Sequence, residues 1–254
     1  MLANYHIHTA RCNHASGEDR QYVEAAISMG YKVMGFADHC PWVFPGDYVS
    51  PTRMTAAQTE DYFSSLTALR KEYARDITIY IGFESEYIPE LMEAQDRLLA
   101  DYPLDYMILG QHFIEPEPYG HYTGFPSEYP GLIRYTDLLI EGMESGRYRY
   151  IAHPDVYNYH GDGTEEQYRR ICSYLAAHDI PVEINLLGLT TNRHYPSPEF
   201  LAVAQETGCR AILGVDAHSP DAISRSDTVQ RGTELAGRYG LPLTDYLPGL
   251  EPMI

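Results

Sequence analysis

Short β-rich runs alternate with longer helical stretches along the whole chain, and this order limits the possible folds more than any other feature. The runs are rich in β-branched and aromatic residues and lie near 3–7, 33–37, 77–83, 105–110, 148–152, 181–185 and 211–215. The helical stretches lie near 18–29, 55–74, 90–100, 128–145, 164–178, 198–207 and 220–238. Such alternation is typical of a parallel sheet covered by helices, so the sequence predicts an α/β protein. A seven- or eight-stranded barrel and an open doubly wound sheet both fit.

No internal repeat, low-complexity tract or linker divides the sequence. Its 254 residues are enough for a sizeable core, so we expect one domain over residues 1–254. No leader of the secretory type opens the chain, and no apolar run approaches the roughly 18–20 residues of a membrane span. The four cysteines form no Cys-x-x-Cys pair, which fits reduced thiols. These features predict a cytoplasmic protein.

The net charge narrows the possible partners. The chain carries 36 acidic and 18 basic residues, for a formal charge of -18. This is the wrong sign for a protein that tracks nucleic acid or an anionic membrane, although a metal cluster could still hold a small phosphorylated metabolite. Only two basic residues are lysines, Lys32 and Lys71. A side chain that grips phosphate outside a metal cluster is therefore expected to be an arginine.

Histidines and acids collect at the carboxyl ends of the predicted strands. His6 and His8 flank Ile7, so in a strand both imidazoles point to one face. Such a pair alone could equally be a buried pair that packs without metal. However, further histidines and acids follow His8 or lie at the ends of the later predicted strands, namely His14, His39, Glu84, His112, His153, Asp216 and His218. Barrels and α/β sheets build their sites at this edge, which favours metal binding.

The ligand types indicate more than one ion. Seven imidazoles with two carboxylates exceed what one tetrahedral ion accepts, so two or three divalent ions are implied, with zinc, manganese and iron as candidates. Closely spaced ions can bridge and deprotonate a water, polarise a phosphoryl oxygen and stabilise a leaving oxygen. The alternative is a structural or regulatory metal site, although such sites rarely need so many ligands on one open rim.

These motifs together resemble the polymerase-and-histidinol-phosphatase (PHP) superfamily, and more narrowly its histidinol-phosphatase branch. The matching pieces span residues 5 to 218, and besides His14 they are Tyr5-His6-Ile7-His8-Thr9, Ala37-Asp38-His39, Gly82-Phe83-Glu84, Leu109-Gly110-Gln111-His112-Phe113, Ala152-His153-Pro154-Asp155, Glu183-Ile184-Asn185 and Gly214-Val215-Asp216-Ala217-His218.

The resemblance implies a distorted seven-stranded (β/α) barrel of the TIM-like type with a trinuclear metal centre at the C-terminal rim of its strands. By the family's pattern, one ion would be held by His6, His8, Glu84 and Asp216, a second by Glu84, His112 and His153, and a third by His14, His39 and His218.

The implied activity is hydrolysis of L-histidinol phosphate to L-histidinol and phosphate, a step of histidine biosynthesis, through attack by a metal-bridging hydroxide. Glu84, Asp216 and Arg193 are the expected catalytic residues, and either Asp216 or a metal-held water would protonate the leaving group. Two alternatives stay open: a PHP phosphatase of another substrate, such as a phosphotyrosine protein or another small ester, and a noncatalytic metal-stabilised PHP module.

Amidohydrolase barrels are a competing interpretation because they also open with His-x-His on the first strand. The binuclear ones commonly use a bridging carboxylated lysine after the fourth strand. In this chain Lys32 precedes the second predicted strand and Lys71 lies in a predicted helix. The bridging role therefore falls to Glu84.

Four long connections on the same rim are expected to determine substrate specificity, namely 40–54, 113–127, 154–163 and 186–198. Arg193 is the preferred phosphate ligand, because a guanidinium matches two phosphate oxygens. Arg11 is the second candidate, Arg53 the third, and His194 is a further candidate for substrate binding. The histidinol-phosphatase branch leads us to expect an arginine shortly after the His-Pro-Asp motif, and residues 156–160 supply none.

Overall fold

Six strands, all paired in parallel, form two sheets in the computed structural model, which describes residues 1–253. Four strands make a sheet in the order β1-β2-β3-β4, and the other two pair with each other as β5 and β6. Their bounds are β1 Ala3–Asn4, β2 Val33–His39, β3 Thr78–Ser85, β4 Tyr106–Leu109, β5 Val182–Asn185 and β6 Ala211–Gly214. The predicted α/β class is confirmed.

Helices fill the connections and cover the strands. Their bounds are α1 Asp19–Ser28, α2 Thr59–Glu72, α3 Met92–Leu99, α4 Tyr129–Glu144, α5 Thr164–Ala177, α6 Leu186–Thr190, α7 Pro198–Glu206, α8 Pro220–Ile223 and α9 Ser226–Arg238. Short 3₁₀ turns lie at Ala10–Cys12, Ala56–Gln58 and Pro89–Leu91. Among the described residues, no helix combines the length and the apolar character that crossing a bilayer requires.

Isolated bridges extend both edges of the four-stranded sheet. On the β1 side, Ile7 bridges to Ala217, just beyond β6, and on the β4 side, Leu109 bridges to Ile151. The register places His39 at the end of β2 directly beside Glu84 near the end of β3. The four strands thus form a curled parallel half-barrel whose carboxyl ends meet at one rim.

Several predicted elements differ from the structure. The first strand, predicted over 3–7, covers Ala3–Asn4, and the strand predicted over 148–152 contributes the single bridge at Ile151. The helix predicted over 220–238 is two helices, separated by extended backbone at Arg225. The loop predicted over 186–198 begins with α6, because the Asn185 side chain accepts a hydrogen bond from the backbone N–H of Gly188.

Tyrosines fill the space below the rim. Tyr5, Tyr106 and Tyr150 belong to one buried cluster on the inner side of the strands. The Tyr106 hydroxyl donates to the backbone carbonyls of Tyr5 (2.8 Å) and Phe36 (3.1 Å), so its polar end is satisfied across three strands. The Tyr5 hydroxyl donates to the carbonyl of Leu250 at 2.7 Å, which attaches the C-terminal segment to the bottom of the sheet.

The Tyr106 ring fits in this position only because the neighbouring strand β3 has a glycine, Gly82, next to it. A methyl group built at Gly82 would lie 2.6 Å from the Tyr106 carbonyl oxygen and 2.5 Å from its ring. The close approach of β3 and β4 therefore requires glycine at this position, for reasons of space rather than backbone conformation.

Replacing Gly82 with alanine is expected to lower the free energy of unfolding by about 1–3 kcal/mol through overpacking. Urea unfolding would measure the change. The matched control is Gly237→Ala, because nothing lies within 4 Å of the added methyl group in α9. The control is expected to gain up to about 1 kcal/mol from improved helix propensity. Equal stability of the two variants would contradict the packing argument.

Candidate metal centre

Glu84 lies at the middle of the rim, surrounded by five imidazoles from four other segments. It sits near the end of β3 and is fully buried. The distances from its carboxylate oxygens are 2.8 Å to Nε2 of His153, 3.1 Å to Nδ1 of His39, 3.5 Å to Nε2 of His8, and 3.6 Å to Nε2 of both His6 and His112. The structure thus brings together side chains that lie up to 147 residues apart in the chain, from His6 to His153.

Asp216 completes the inner part of the cluster. Its Oδ1 atom lies 3.2 Å from Nε2 of His8, 3.6 Å from Nε2 of His6 and 3.3 Å from Nδ1 of His218. Oδ1 is buried and has no hydrogen-bond partner among the described residues. The backbone of Asp216 is left-handed, with φ of 52°, as is that of His153. Strained backbone of this kind at two strand ends is typical of functional sites.

The outer part of the cluster is formed by histidines. Nδ1 of His14 contacts the Cys12 carbonyl at 2.8 Å and Nδ1 of His218 contacts the Asp216 carbonyl at 3.1 Å. If each Nδ1 carries the proton that it donates, the lone pairs are on the two Nε2 atoms, which face each other at 3.0 Å. Two lone pairs at this distance repel each other unless a cation lies between or beside them.

The charge states also suit metal binding. Burial, followed by the neighbouring imidazole of His8, holds the pKa of His39 well below its usual range, and the same causes lower the pKa of His218 to about 3. Both imidazoles are therefore neutral and can donate a lone pair. Despite its burial, Glu84 has a pKa well below the usual range, because His112 and His6 face it and Nε2 of His153 lies within hydrogen-bond distance of it.

Several triplets of potential ligand atoms could hold a divalent ion. Within each triplet the atoms lie within 4.8 Å of one another, and the triplets include His6–His8–Asp216, His6–Glu84–His153, His8–His39–His218 and Cys12–His14–His218. The buried polar atoms left without hydrogen-bond partners among the described residues include Nε2 of His6, Oε2 of Glu84 and Oδ1 of Asp216. Because buried polar atoms are normally satisfied, these orphaned atoms fit bound cations.

Several carboxylates behind the cluster were not among the predicted site residues. Glu183 lies 2.8 Å from Nδ1 of His6, and Glu86 lies 3.4 Å from Nδ1 of His112. Asp38 lies 3.5 Å from Nδ1 of His8. An acid that is hydrogen-bonded to the second nitrogen of a metal-ligating histidine, as Glu183 is to His6, fixes its tautomer and its orientation. Their sequence signal is an acid inside a buried strand, as in Val182-Glu183-Ile184.

Glycines leave room for two of the buried carboxylates. A methyl group built at Gly110 would overlap the carboxylate of Glu84, and one built at Gly214 would overlap that of Glu183. The strand ends are therefore shaped around the acids as well as around the histidines.

A cavity of about 530 Å³ opens above the cluster. Three of the four loops predicted to choose the substrate contribute to its wall, and none of its lining residues comes from 154–163. Apart from residues of the cluster, the lining consists of Thr52, Arg53, Phe113, Tyr122, Phe125, Leu187, Arg193 and Tyr195.

The structure separates the arginine candidates. Arg193 lines the cavity, its Nη1 donates to the Tyr195 hydroxyl at 2.6 Å, and it forms no ion pair with any described residue. Arg53 also lines the cavity, but it is buried and paired with Glu86 at 2.9 Å and Glu117 at 2.7 Å. The positive charge of Arg53 is thus already neutralised by two carboxylates of the protein.

Two predicted substrate-binding residues lie outside the cavity lining. The guanidinium of Arg11 is turned towards α1 and α2, where it pairs with Asp19 at 3.0 Å and Asp61 at 2.8 Å. Nε2 of His194 contacts the Val156 carbonyl at 2.8 Å. The structure therefore does not bring these two side chains to the cluster, because local acids and a backbone carbonyl hold them elsewhere. Lys32 and Lys71 are both exposed, so neither lies at the centre.

Residues 4–187 match the family model described as the PHP domain. A probable histidinol-phosphatase of Deinococcus radiodurans is 28% identical over 249 residues, which cover 93% of this chain and 95% of that protein. That alignment runs nearly end to end in both proteins.

Two solved structures share the fold. A provisionally assigned histidinol phosphatase of Listeria monocytogenes has a TM-score of 0.71 at 22% identity, covering 89% of this chain and 99% of the other. The histidinol phosphate phosphatase of Lactococcus lactis, complexed with zinc, L-histidinol and phosphate, has a TM-score of 0.68 at 19% identity, covering 95% of both chains. Because the family model matches well over half of its residues, the chain belongs to the PHP domain family.

Proposed function

We propose that this protein is a metal-dependent phosphomonoesterase that hydrolyses L-histidinol phosphate to L-histidinol and phosphate. The observation that carries the proposal is the position of Glu84, a buried carboxylate among five imidazoles beneath an open cavity. The name of the Deinococcus radiodurans relative and the ligands of the Lactococcus lactis structure support the choice of substrate.

Nine residues would hold the metal ions. We assign His6, His8, Glu84 and Asp216 to one ion, Glu84, His112 and His153 to a second, and His14, His39 and His218 to a third; the orphaned buried atoms and the facing Nε2 atoms support this set. When bound, zinc, manganese or iron would supply a nucleophilic water at neutral pH and neutralise charge on the phosphoryl oxygens.

Arg193 would bind the phosphate from the cavity side. Its guanidinium is held by the Tyr195 hydroxyl at 2.6 Å and pairs with no carboxylate among the described residues, so its charge is available to an incoming anion. A planar guanidinium can donate two hydrogen bonds to phosphate and stabilise charge on it. Phe113 and Tyr122 lie on the same wall and would flank the organic part of the substrate.

We also propose the domain organisation, the number of strands in the barrel and the cellular compartment. We propose that residues 1–254 form one PHP-type domain with a distorted seven-stranded barrel, although Ile254 lies outside the described residues. The bridges at Ile7 and Leu109 support closure on two sides, and Glu183 accepts a hydrogen bond from the backbone N–H of His153 across the remaining gap. The four free, buried cysteines are compatible with the cytoplasm.

Glu84→Gln is expected to remove metal and activity together, because an amide cannot serve as an anionic bridge between two ions. Metal content by elemental analysis and phosphate release from histidinol phosphate would be measured on the same preparation. The matched control is Glu206→Gln, the same chemical change at an exposed position paired with Arg169. Full turnover of Glu84→Gln with its metals in place would show that the bridging role is wrong.

Arg193→Ala is expected to lower kcat/KM for histidinol phosphate by about 100-fold, the scale seen when one donor to a transition-state oxyanion is lost. Arg193→Lys keeps the charge but loses the planar pair of donors, so it should fall between Arg193→Ala and the wild type. Arg11→Ala tests the alternative arginine and is expected to retain wild-type kcat/KM. A larger loss in Arg11→Ala than in Arg193→Ala would reverse the assignment.

Phosphate release across a substrate panel tests the choice of ester. Histidinol phosphate is expected to be cleaved with the highest kcat/KM, compared with a phosphotyrosine peptide, a nucleotide and p-nitrophenyl phosphate, and chelator should abolish every activity. Preference for the peptide would identify a phosphotyrosine phosphatase instead. Tightly bound metal without turnover of any ester would identify a noncatalytic PHP module.

A further inference from the structure

Glu183 lies fully buried behind the cluster and is absent from the nine residues proposed to hold metal. Its two oxygens accept four hydrogen bonds from three segments of the chain. Oε1 contacts Nδ1 of His6 at 2.8 Å and the Tyr150 hydroxyl at 3.2 Å. Oε2 accepts from the backbone N–H of His153 at 2.7 Å and from Nδ2 of Asn185 at 3.0 Å.

The contact with His6 selects the tautomer of that imidazole. An ionised carboxylate has no proton to donate, so Nδ1 of His6 must carry the hydrogen. In the neutral imidazole Nε2 then bears the lone pair, and this is the atom that faces Glu84 and Asp216, at 3.6 Å from each. Glu183 therefore presents a donor atom, rather than an N–H group, to the centre of the cluster.

The contact with His153 stabilises an unusual backbone. The φ of His153 is 31°, a conformation that residues with a side chain rarely adopt. A hydrogen bond of 2.7 Å from its N–H to a carboxylate offsets part of this strain. In this backbone conformation, Nε2 of His153 lies 2.8 Å from Glu84.

Asn185 extends the influence of Glu183 to Asp216. Its Nδ2 donates both to Glu183 and, at 3.1 Å, to Oδ2 of Asp216. Its Oδ1 accepts from the N–H of Gly188, which fixes the orientation of the amide. With Oδ2 held in this way, the unpartnered Oδ1 of Asp216 is directed at His6 and His8.

We propose that Glu183 is a positioning residue that sets the geometry of His6, His153 and Asp216 before metal binds. The proposal rests on the metal centre assigned under Proposed function. It attributes to a single carboxylate the alignment of ligands from three strand ends, and Gly214 supplies the space that this carboxylate needs. Glu183 itself contacts neither metal nor substrate in this role.

Glu183→Gln tests the proposal, because the amide keeps the size of the side chain but has one acceptor oxygen in place of two. Zinc affinity would be measured on metal-free protein by competition with a chromophoric chelator, alongside far-ultraviolet circular dichroism and urea unfolding of the same preparation. Steady-state kinetics with histidinol phosphate would then be measured at saturating zinc. Glu206→Gln again serves as the control for loss of one negative charge.

We expect zinc affinity to fall roughly 10- to 100-fold in Glu183→Gln, the scale found when the outer partner of a metal ligand is lost. At saturating zinc, kcat should fall while KM changes less than about threefold, because the substrate is held by groups on the cavity side. Wild-type zinc affinity together with wild-type kcat in a folded Glu183→Gln protein would overturn the proposal.

If Glu183→Gln does not fold, Tyr150→Phe carries the test, because it removes one donor to the Oε1 atom that His6 also uses. A several-fold loss of zinc affinity would support the positioning role, and unchanged affinity would overturn it. The failure of the proposed function is distinguishable, because in that case the wild-type protein itself would bind no zinc or cleave no ester.

Discussion

Buried negative charge is the constraint on which this structure depends. Glu84 and Asp216 are removed from water, and behind them lie the further buried carboxylates of Asp38, Glu86 and Glu183. Isolated buried charges are costly unless they are paired or bind metal. Among residues 1–253, the only fully buried arginine is Arg53, and no lysine is buried. The imidazoles supply ligand nitrogens, and divalent cations would supply the missing positive charge.

The rest of the fold serves this arrangement. Strand ends carry the clustered histidines and acids, glycines at 110 and 214 clear space for carboxylates, and the backbone is left-handed at His153 and Asp216. Below the rim, the hydroxyls of Tyr5 and Tyr106 donate to backbone carbonyls and that of Tyr150 donates to Glu183, and the rings fill the interior. A polar, charged site is thereby supported by a well-packed layer, which fixes the positions of the clustered side chains.

The cavity wall is coupled to the cluster through Glu86. This carboxylate faces His112 at 3.4 Å and pairs with Arg53, and Arg53 in turn pairs with Glu117 from the next rim loop. The Trp42 indole also donates to Glu86, at 2.9 Å. Two substrate loops are thus attached to the residue behind a proposed metal ligand, so the shape of the cavity and the orientation of His112 are linked by one buried ionic network.

The sequence predicted which histidines and acids meet at the rim, because a residue at a strand end is visible from the order of elements alone. The outer carboxylates were given no role, since the pairing of Glu183 with His6 joins strands that are far apart in the chain and depends on side-chain packing. The arginines were ranked by loop position, yet the tertiary partners of Arg11 and Arg53 decide which guanidinium is available. The strand predicted over 148–152 contributes only one bridge, at Ile151, because strand pairing depends on a neighbour that is distant in the sequence.

The central claim is that Glu84 is shared by two metal ions. Anomalous diffraction at the absorption edges of zinc, manganese and iron, from crystals of the protein as isolated, tests this claim most directly. The account predicts at least two anomalous peaks that both lie within ligand distance of the Glu84 carboxylate, about 2.0–2.2 Å for zinc–oxygen bonds. A single ion, or ions bound away from Glu84, would contradict it.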